Sequence, residues 1–396
     1  MRLEISPAER TRRRNTLRER LTAHQVDGVV LFGGLNVLYF GGFGFIPTER
    51  PMALVLAGPE RVLFVPRLEV EHAQQHADVD RVVSYPEYPD DRHPMERLAE
   101  LLAQMGFERA RIGVDADGYA GRFGYRGPRL SEVLPAATVV VVRDEIERMQ
   151  MMKSAEEVAL IRESCRWGHL AHALLQEYTR PGLTETEVSN RASHEATLAM
   201  IRTLGPGYRA VGYGGVGARA GYRGQIGPYS ALPHAMTTNA RFAPGDVLVT
   251  GASANVGGYL SELERTMVIA PVSDRARRFF GLMLEVQQRA IDAIRPGEPC
   301  SAVDRVTRAF FDKYDLWDCW RHHTGHAIGL DYHEAPFLDR GDDRIMEPGM
   351  VFTVEPGIYV PGLGGFRHSD TVLVTPNGHE VLTYYPRDLA SLTIPA

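Results

Sequence analysis

Cysteine is scarce in this chain, with three residues in 396, at Cys165, Cys300 and Cys319. So few and so widely spaced, they exclude a disulfide framework and a cysteine-based zinc site. An excess of positive charge is missing too. The formal net charge of −6 gives no electrostatic case for nucleic acid or an anionic membrane surface. No run approaches the roughly 18 consecutive apolar residues that a spanning helix needs. The charged opening, MRLEISPAERTRRRNTLRER, lacks the apolar stretch of a signal peptide. Tandem repeats and long polar linkers are also absent. These lacks lead us to expect a cytoplasmic protein with no nucleic-acid or membrane partner.

What is present is enough length for two domains, each with its own core, and an ordinary balance of apolar and charged residues. Over residues 1–150, helix-like and strand-like patterns alternate. An Arg-rich amphipathic helix (Pro7 to His24) precedes VDGVVLFGG, LNVLYFGG, MALVLAG and RVLFVP, which are β-branched or aromatic runs punctuated by Gly and Pro. A helical stretch from Pro94 to Gly106 leads to RIGVDADG, and ATVVVVRDEIERM closes this half as a buried strand running into a short helix. The expectation is a compact α/β domain.

From Lys153 the texture changes, and residues 151–396 read as a second domain. Ser154 with Glu157, and Thr184 with Glu187, stand at capping-box spacing ahead of two long helical patterns. The Gly/Tyr/Arg-rich segment 205–229 follows. It reads as a flexible or substrate-covering loop leading to His234, because no strand-to-helix turn supports a dinucleotide fingerprint there. Paired strands, two helices and a strand-and-turn tail from Val351 to Leu382 complete the chain.

Polar residues inside otherwise apolar strands are the informative feature. Glu262, Glu264, Glu355, Arg367, His368 and Asp370 all fall in runs that should pair and bury. Buried carboxylates are costly unless matched by cations, donors or metal, and several of them near histidines point to a site.

The order KSxxE, Pro-His, Gly-Asp, the ERT strand, HTGHxxGLDxHEAP, EPGMVFTVEPGIY and GGxRxxD resembles the pita-bread family, which includes aminopeptidase P, prolidase, methionine aminopeptidase and creatinase. The resemblance covers essentially the whole chain. It implies a creatinase-like amino-terminal α/β domain followed by a pita-bread catalytic domain. The family's metallopeptidases hold two divalent metals with two aspartates, a histidine and two glutamates. Carried over by position, these become Gly251, Glu262, His326, Glu355 and Ser369, so two of the five ligands are missing. His368 and Asp370 do not substitute, since neighbouring strand residues point to opposite faces.

On that loss, the resemblance to creatinase implies a metal-independent, cofactor-free hydrolase. It would cleave a C–N bond of a small guanidinium- or amidine-like substrate held between Glu262 and Glu355, with His234 as acid/base and His326 completing the catalytic set. His322, His333 and Arg367 would line the substrate pocket. Phe45 and Arg50 are candidates to reach the site of a partner subunit in a homodimer. The alternatives are an Xaa-Pro aminopeptidase or dipeptidase with one divalent metal, such as zinc or manganese, on Glu262, His326 and Glu355, and a catalytically silent peptide-binding module. Three ligands and a water suffice for catalytic zinc.

Overall fold

The structure is a computed structural model that describes residues 3–119, 124–212 and 214–396. It divides into two compact units, Ile5–Gln150 and a unit containing Met151–Ala396.

In the first unit the helix Pro7–Leu21 starts where the Ser6 hydroxyl accepts from the Glu9 amide at 3.0 Å, with Pro7 in the first turn. Its arginines do not all face water. Arg13 and Arg14 are buried and donate to the carbonyls of Tyr39 (3.0 Å) and Phe40 (2.7 Å). Those carbonyls close the helix Gly34–Gly41, which occupies the LNVLYFGG run read above as a strand. Non-local partners decide the matter. The Asp115 carboxylate accepts from the Phe32 and Gly33 amides and from Asn36 Nδ2 at 2.8–2.9 Å, which favours a helix start. Gly42, at φ 66°, supplies the left-handed stop.

A mixed six-stranded sheet forms the middle of this unit. Its spatial order is Arg81–Tyr85, Glu60–Pro66, Ala53–Ala57, Gly28–Leu31, Arg111–Val114 and Thr138–Val141. The last strand lies at the edge and is only half covered, Val141 being 58% exposed. The expectation of a buried strand there is therefore corrected, since an edge strand has a neighbour on one side only.

In the second unit both expected capping boxes are formed, at Ser154/Glu157 and Thr184/Glu187, and start the helices Ala155–Tyr178 and Glu185–Leu204. These helices pack on an antiparallel pair, Ala218–Gly221 with Gly251–Ala254. Part of the 205–229 segment is thus strand rather than free loop; Tyr213 lies outside the described residues. A five-stranded antiparallel sheet runs Glu334–Leu338, Gly325–Ala327, Val351–Val354, Asp370–Thr375 and Gly378–Val381. Its apolar face shares a core with the helices Asp274–Asp292 and Cys300–Tyr314 through Ile291, Val303, Phe352, Val354 and Val372. Among the described residues no helix is long and apolar enough to cross a membrane.

Candidate metal centre

Two stretches of backbone bring the buried acids together. Glu264 exchanges both backbone hydrogen bonds with Ser369, each at 3.0 Å. Two residues earlier, Glu262 donates its amide to Thr371 Oγ1, whose hydroxyl returns a bond to the Glu262 carbonyl, both at 2.9 Å. The side-chain period of two then turns Glu262, Glu264 and Ser369 towards one region. Arg265 points the other way. It is fully buried, bonds Asp370 Oδ1 at 2.8 Å, and donates to the carbonyls of Glu264 and Ser369.

His326 arrives from the neighbouring sheet. Gly325 precedes it because any Cβ there would meet the Thr353 carbonyl oxygen at 2.0 Å, and the pairing slips register between His326 and Ala327, a bulge that re-aims the side chain. The ring's Nδ1 lies 2.9 Å from the Ala327 carbonyl. In the neutral ring the proton therefore stays on Nδ1 and the lone pair on Nε2. Nε2 is buried, has no hydrogen-bond partner, and stands 3.4 Å from Glu355 Oε1. Ligand atoms of Glu262, His326 and Glu355 all lie within 4.8 Å of one another.

The charges of this cluster perturb each other strongly. Burial, followed by the Glu355 and Glu264 charges, pushes Glu262 up to about 8. Burial also raises Glu264, against the pull of Arg367. For Glu355 burial is outweighed by His326, His322 and Arg367, which hold it below the usual carboxylate range. Burial alone would lower His326, but Glu355 and Glu262 raise it to about 9. Glu262 and Glu264 thus resist ionising while Glu355 ionises readily, as expected where carboxylates are crowded together in a buried site.

The donor set fits one divalent ion. An orphaned imidazole nitrogen and two carboxylates converge, with three protein ligands as catalytic zinc sites use. It does not fit a pair. Gly251 contributes no side chain, and Ser369 Oγ donates to Glu262 Oε1 at 2.6 Å.

A cavity of about 870 Å³ opens over the cluster, lined by residues of this unit including Glu262, Glu355, His234, His322, His333 and Arg367. The structure thus brings together the expected site residues of the second unit, with His326 fully buried behind the wall and stacked on the His333 ring at 3.7 Å. His234 is exposed at the cavity. Arg367, expected to meet substrate, is 3% exposed and ion-paired with Glu264. Its Nη1 donates to Tyr359 Oη at 2.9 Å. His322 Nδ1 faces its neighbour's carbonyl at 2.8 Å, so Nε2 accepts from Tyr359 Oη at 2.8 Å. In the other unit Phe45 stacks on Phe43, and Arg50 pairs with Glu49 and Glu87, each at 2.6 Å.

Sequence reasoning missed Tyr332, Tyr359, Arg219 and Arg223. Arg219 alternates with Ala218 and Ala220 in a strand and reaches the cavity. The rule that found Glu262, a polar residue in a strand, finds it too, but the surrounding glycines concealed the strand. Among the described residues Arg219 pairs with no acidic side chain.

Comparison with known proteins identifies the family. Residues 159–376 match metallopeptidase family M24, and residues 13–152 match the creatinase/prolidase N-terminal domain. The Xaa-Pro dipeptidase of Pyrococcus furiosus is 29% identical over 370 residues, spanning 92% of this chain and 96% of that protein. The solved dipeptidase PepE from Mycobacterium ulcerans superposes with a TM-score of 0.82 at 26% identity, covering 99% of this chain and all of the other. The Xaa-Pro dipeptidase from Bacillus anthracis gives 0.79 at 25%, covering 98% and 100%.

These findings overturn the metal-independent, creatinase-like hydrolase and its cofactor-free site. The physical reason agrees. The acidic cluster already holds a guanidinium, that of Arg367, and what remains is an ion-sized group of donors. The chain belongs to metallopeptidase family M24, a pita-bread hydrolase domain carried behind a creatinase/prolidase amino-terminal domain.

Proposed function

We propose that this chain is an Xaa-Pro dipeptidase-type peptidase working with one divalent ion, zinc or manganese, on Glu262, His326 and Glu355. The observation that carries the reading is the unpartnered, buried His326 Nε2 aimed between two carboxylates, in a chain that spans 96% of a relative named for Xaa-Pro dipeptides. An ion held there supplies Lewis acidity to the scissile carbonyl.

The remaining work falls to side chains. Water adds to the carbonyl carbon, the C–N bond breaks, and the amine of proline leaves with a proton. Exposed His234 is suited to deliver that proton. His322 is pushed down to about 4, chiefly by burial, and so is neutral, with its Nε2 fixed by the Tyr359 hydroxyl. Arg219, which among the described residues pairs with no acidic side chain, lies at the cavity wall and is suited to the free carboxylate that distinguishes a dipeptide from a longer chain. We further propose a cytoplasmic homodimer in which Phe45 and Arg50 complete the partner's site.

The test is turnover of Xaa-Pro dipeptides by chelator-stripped protein, before and after zinc or manganese is restored. Activity that returns with the ion and is lost in His326→Ala supports the reading. Full dipeptide turnover by stripped protein, or none under any loading, overturns it.

A further inference from the structure

The turn that follows the strand Ala218–Gly221 is strained. The Gln225 amide donates to the Tyr222 carbonyl at 2.9 Å, and the two residues between them, Arg223 and Gly224, both have positive φ, 51° and 76°. That pattern is the type I′ turn, whose central positions favour glycine, asparagine and aspartate. Gly224 suits it, because a Cβ there would meet the Met236 carbonyl oxygen at 2.1 Å. Arginine at 223 is held against its preference. The holding groups are buried. Glu185, at the start of the helix Glu185–Leu204, accepts from the Gly224 amide at 2.7 Å and from the Thr238 amide at 2.9 Å, and Tyr222 and Gln225 are buried on either side. The one exposed side chain of the turn, that of Arg223, is thereby set at the cavity wall. A bulky residue kept in a strained conformation by rigid surroundings points to a task for its side chain.

An internal ion pair is not that task. The acid that Arg223 approaches, Glu264, stays 3.7 Å away at Oε1, and that oxygen already accepts from Arg367 Nη2 at 2.7 Å. Arg321 also lines the cavity, tied by Nη1 to the carbonyls of Asp318 and Trp320. Among the described residues neither it nor Arg219 pairs with an acidic side chain. The acids that line the cavity, Glu262, Glu264 and Glu355, all belong to the buried cluster, so the open part of the cavity is cationic. A dipeptide with a neutral side chain brings one carboxylate to this wall, whereas Arg219 and Arg223, on one strand and its turn, fit two. Gly221 and Gly251 are paired across the two strands and both line the cavity, and they raise no side chain that would obstruct an extended substrate.

We propose that Arg223 is a specificity residue for an acidic first residue of the substrate, so that the preferred dipeptides are Glu-Pro and Asp-Pro, with the side-chain carboxylate on Arg223 and the terminal carboxylate on Arg219. The inference rests on the dipeptidase reading and narrows its substrate class.

The metal-loaded full chain is assayed on Glu-Pro beside its isostere Gln-Pro, which removes the charge and keeps the shape. The expected kcat/KM is about tenfold or more higher for Glu-Pro, the scale of a charge-assisted bond; equal values overturn the proposal. Arg223→Asn suits the turn and should fold with a Tm at or above the parent's, while the ratio falls to about one. A ratio that survives the substitution, or one lost only together with a fall in Tm, overturns the proposal. Arg219→Met should weaken both dipeptides alike, and a loss confined to Glu-Pro would give the side-chain carboxylate to Arg219 instead and overturn it. If no Xaa-Pro dipeptide is cleaved under any metal loading, the dipeptidase reading fails by itself. Calorimetric binding of the same two dipeptides to the metal-loaded chain then decides the inference: binding of Glu-Pro about tenfold tighter supports it, and equal binding overturns it.

Discussion

Ser369 donates its hydroxyl hydrogen to Glu262 Oε1 across 2.6 Å, and both side chains are buried. The serine therefore acts as a neutral clasp on an acid that burial and neighbouring charge discourage from ionising.

Removing that clasp in Ser369→Ala leaves a buried carboxyl oxygen without its donor. The expected cost is about 1–3 kcal/mol, read as a shift of the urea midpoint of the ion-free protein with its slope unchanged. The bond favours the charged form, so the variant should also push Glu262 further up. Equal stability of the variant and the parent would show that the contact is unimportant.

Ion binding should be coupled to protons. In the ion-free state Glu262 is raised from 4.5 to about 8 and His326 from 6.5 to about 9. Both folded values lie above the unfolded ones. Their contribution to stability is therefore complete at low pH, and is lost as pH climbs through about 8 and 9. A divalent ion replaces those protons. Calorimetry near pH 7 in buffers of different ionisation heat should show up to two protons released per ion bound, and affinity rising with pH. Binding that ignores buffer identity would contradict this picture.

Arg219 should decide how substrates are gripped rather than how fast they react. Arg219→Met is expected to lose about 1.5–3 kcal/mol of charge-assisted bonding, roughly tenfold to a hundredfold in KM, with kcat little altered. Dipeptides blocked as carboxyl-terminal amides should be insensitive to the change. Steady-state kinetics on the paired substrates give the answer; equal losses for acid and amide would mean that Arg219 does not meet the carboxylate.

Arg265 holds the two site strands together from behind, through Asp370 and the carbonyls of Glu264 and Ser369. Arg265→Met takes the paired cation from buried Asp370 and leaves it the neutral donors of Thr383 and Gln287, for which about 3 kcal/mol is the expected loss. Thermal unfolding with circular dichroism measures it, and a near-native Tm would rule out the bracing role.

Much of the site was legible in the sequence. Glu262 and Glu355 stood out as acids in strand-like runs, His326 followed from the resemblance to the pita-bread family, and the capping boxes at Ser154 and Thr184 marked the two long helices of the second unit. The helix Gly34–Gly41 was not legible, because Asp115 and the two arginines that secure its ends are distant in sequence. The metal chemistry was misread for a related reason. The losses at Gly251 and Ser369 are visible in the sequence, and they suggested that no ion is held. That three remaining donors surround an unpartnered nitrogen, and that Arg367 comes to rest among the acids, depends on convergence in space.

The register slip after His326 bears on how this chain tolerates change. The imidazole faces the two carboxylates because one residue is accommodated irregularly between it and Ala327. A side chain at Gly325 would not fit against the Thr353 carbonyl, but substitutions beyond Ala327 alter chemistry and leave that aim intact. Inserting or deleting a single residue between Gly325 and Glu334 would turn the ring towards the opposite face of the sheet. In that segment residue number, more than residue identity, is what the centre must preserve.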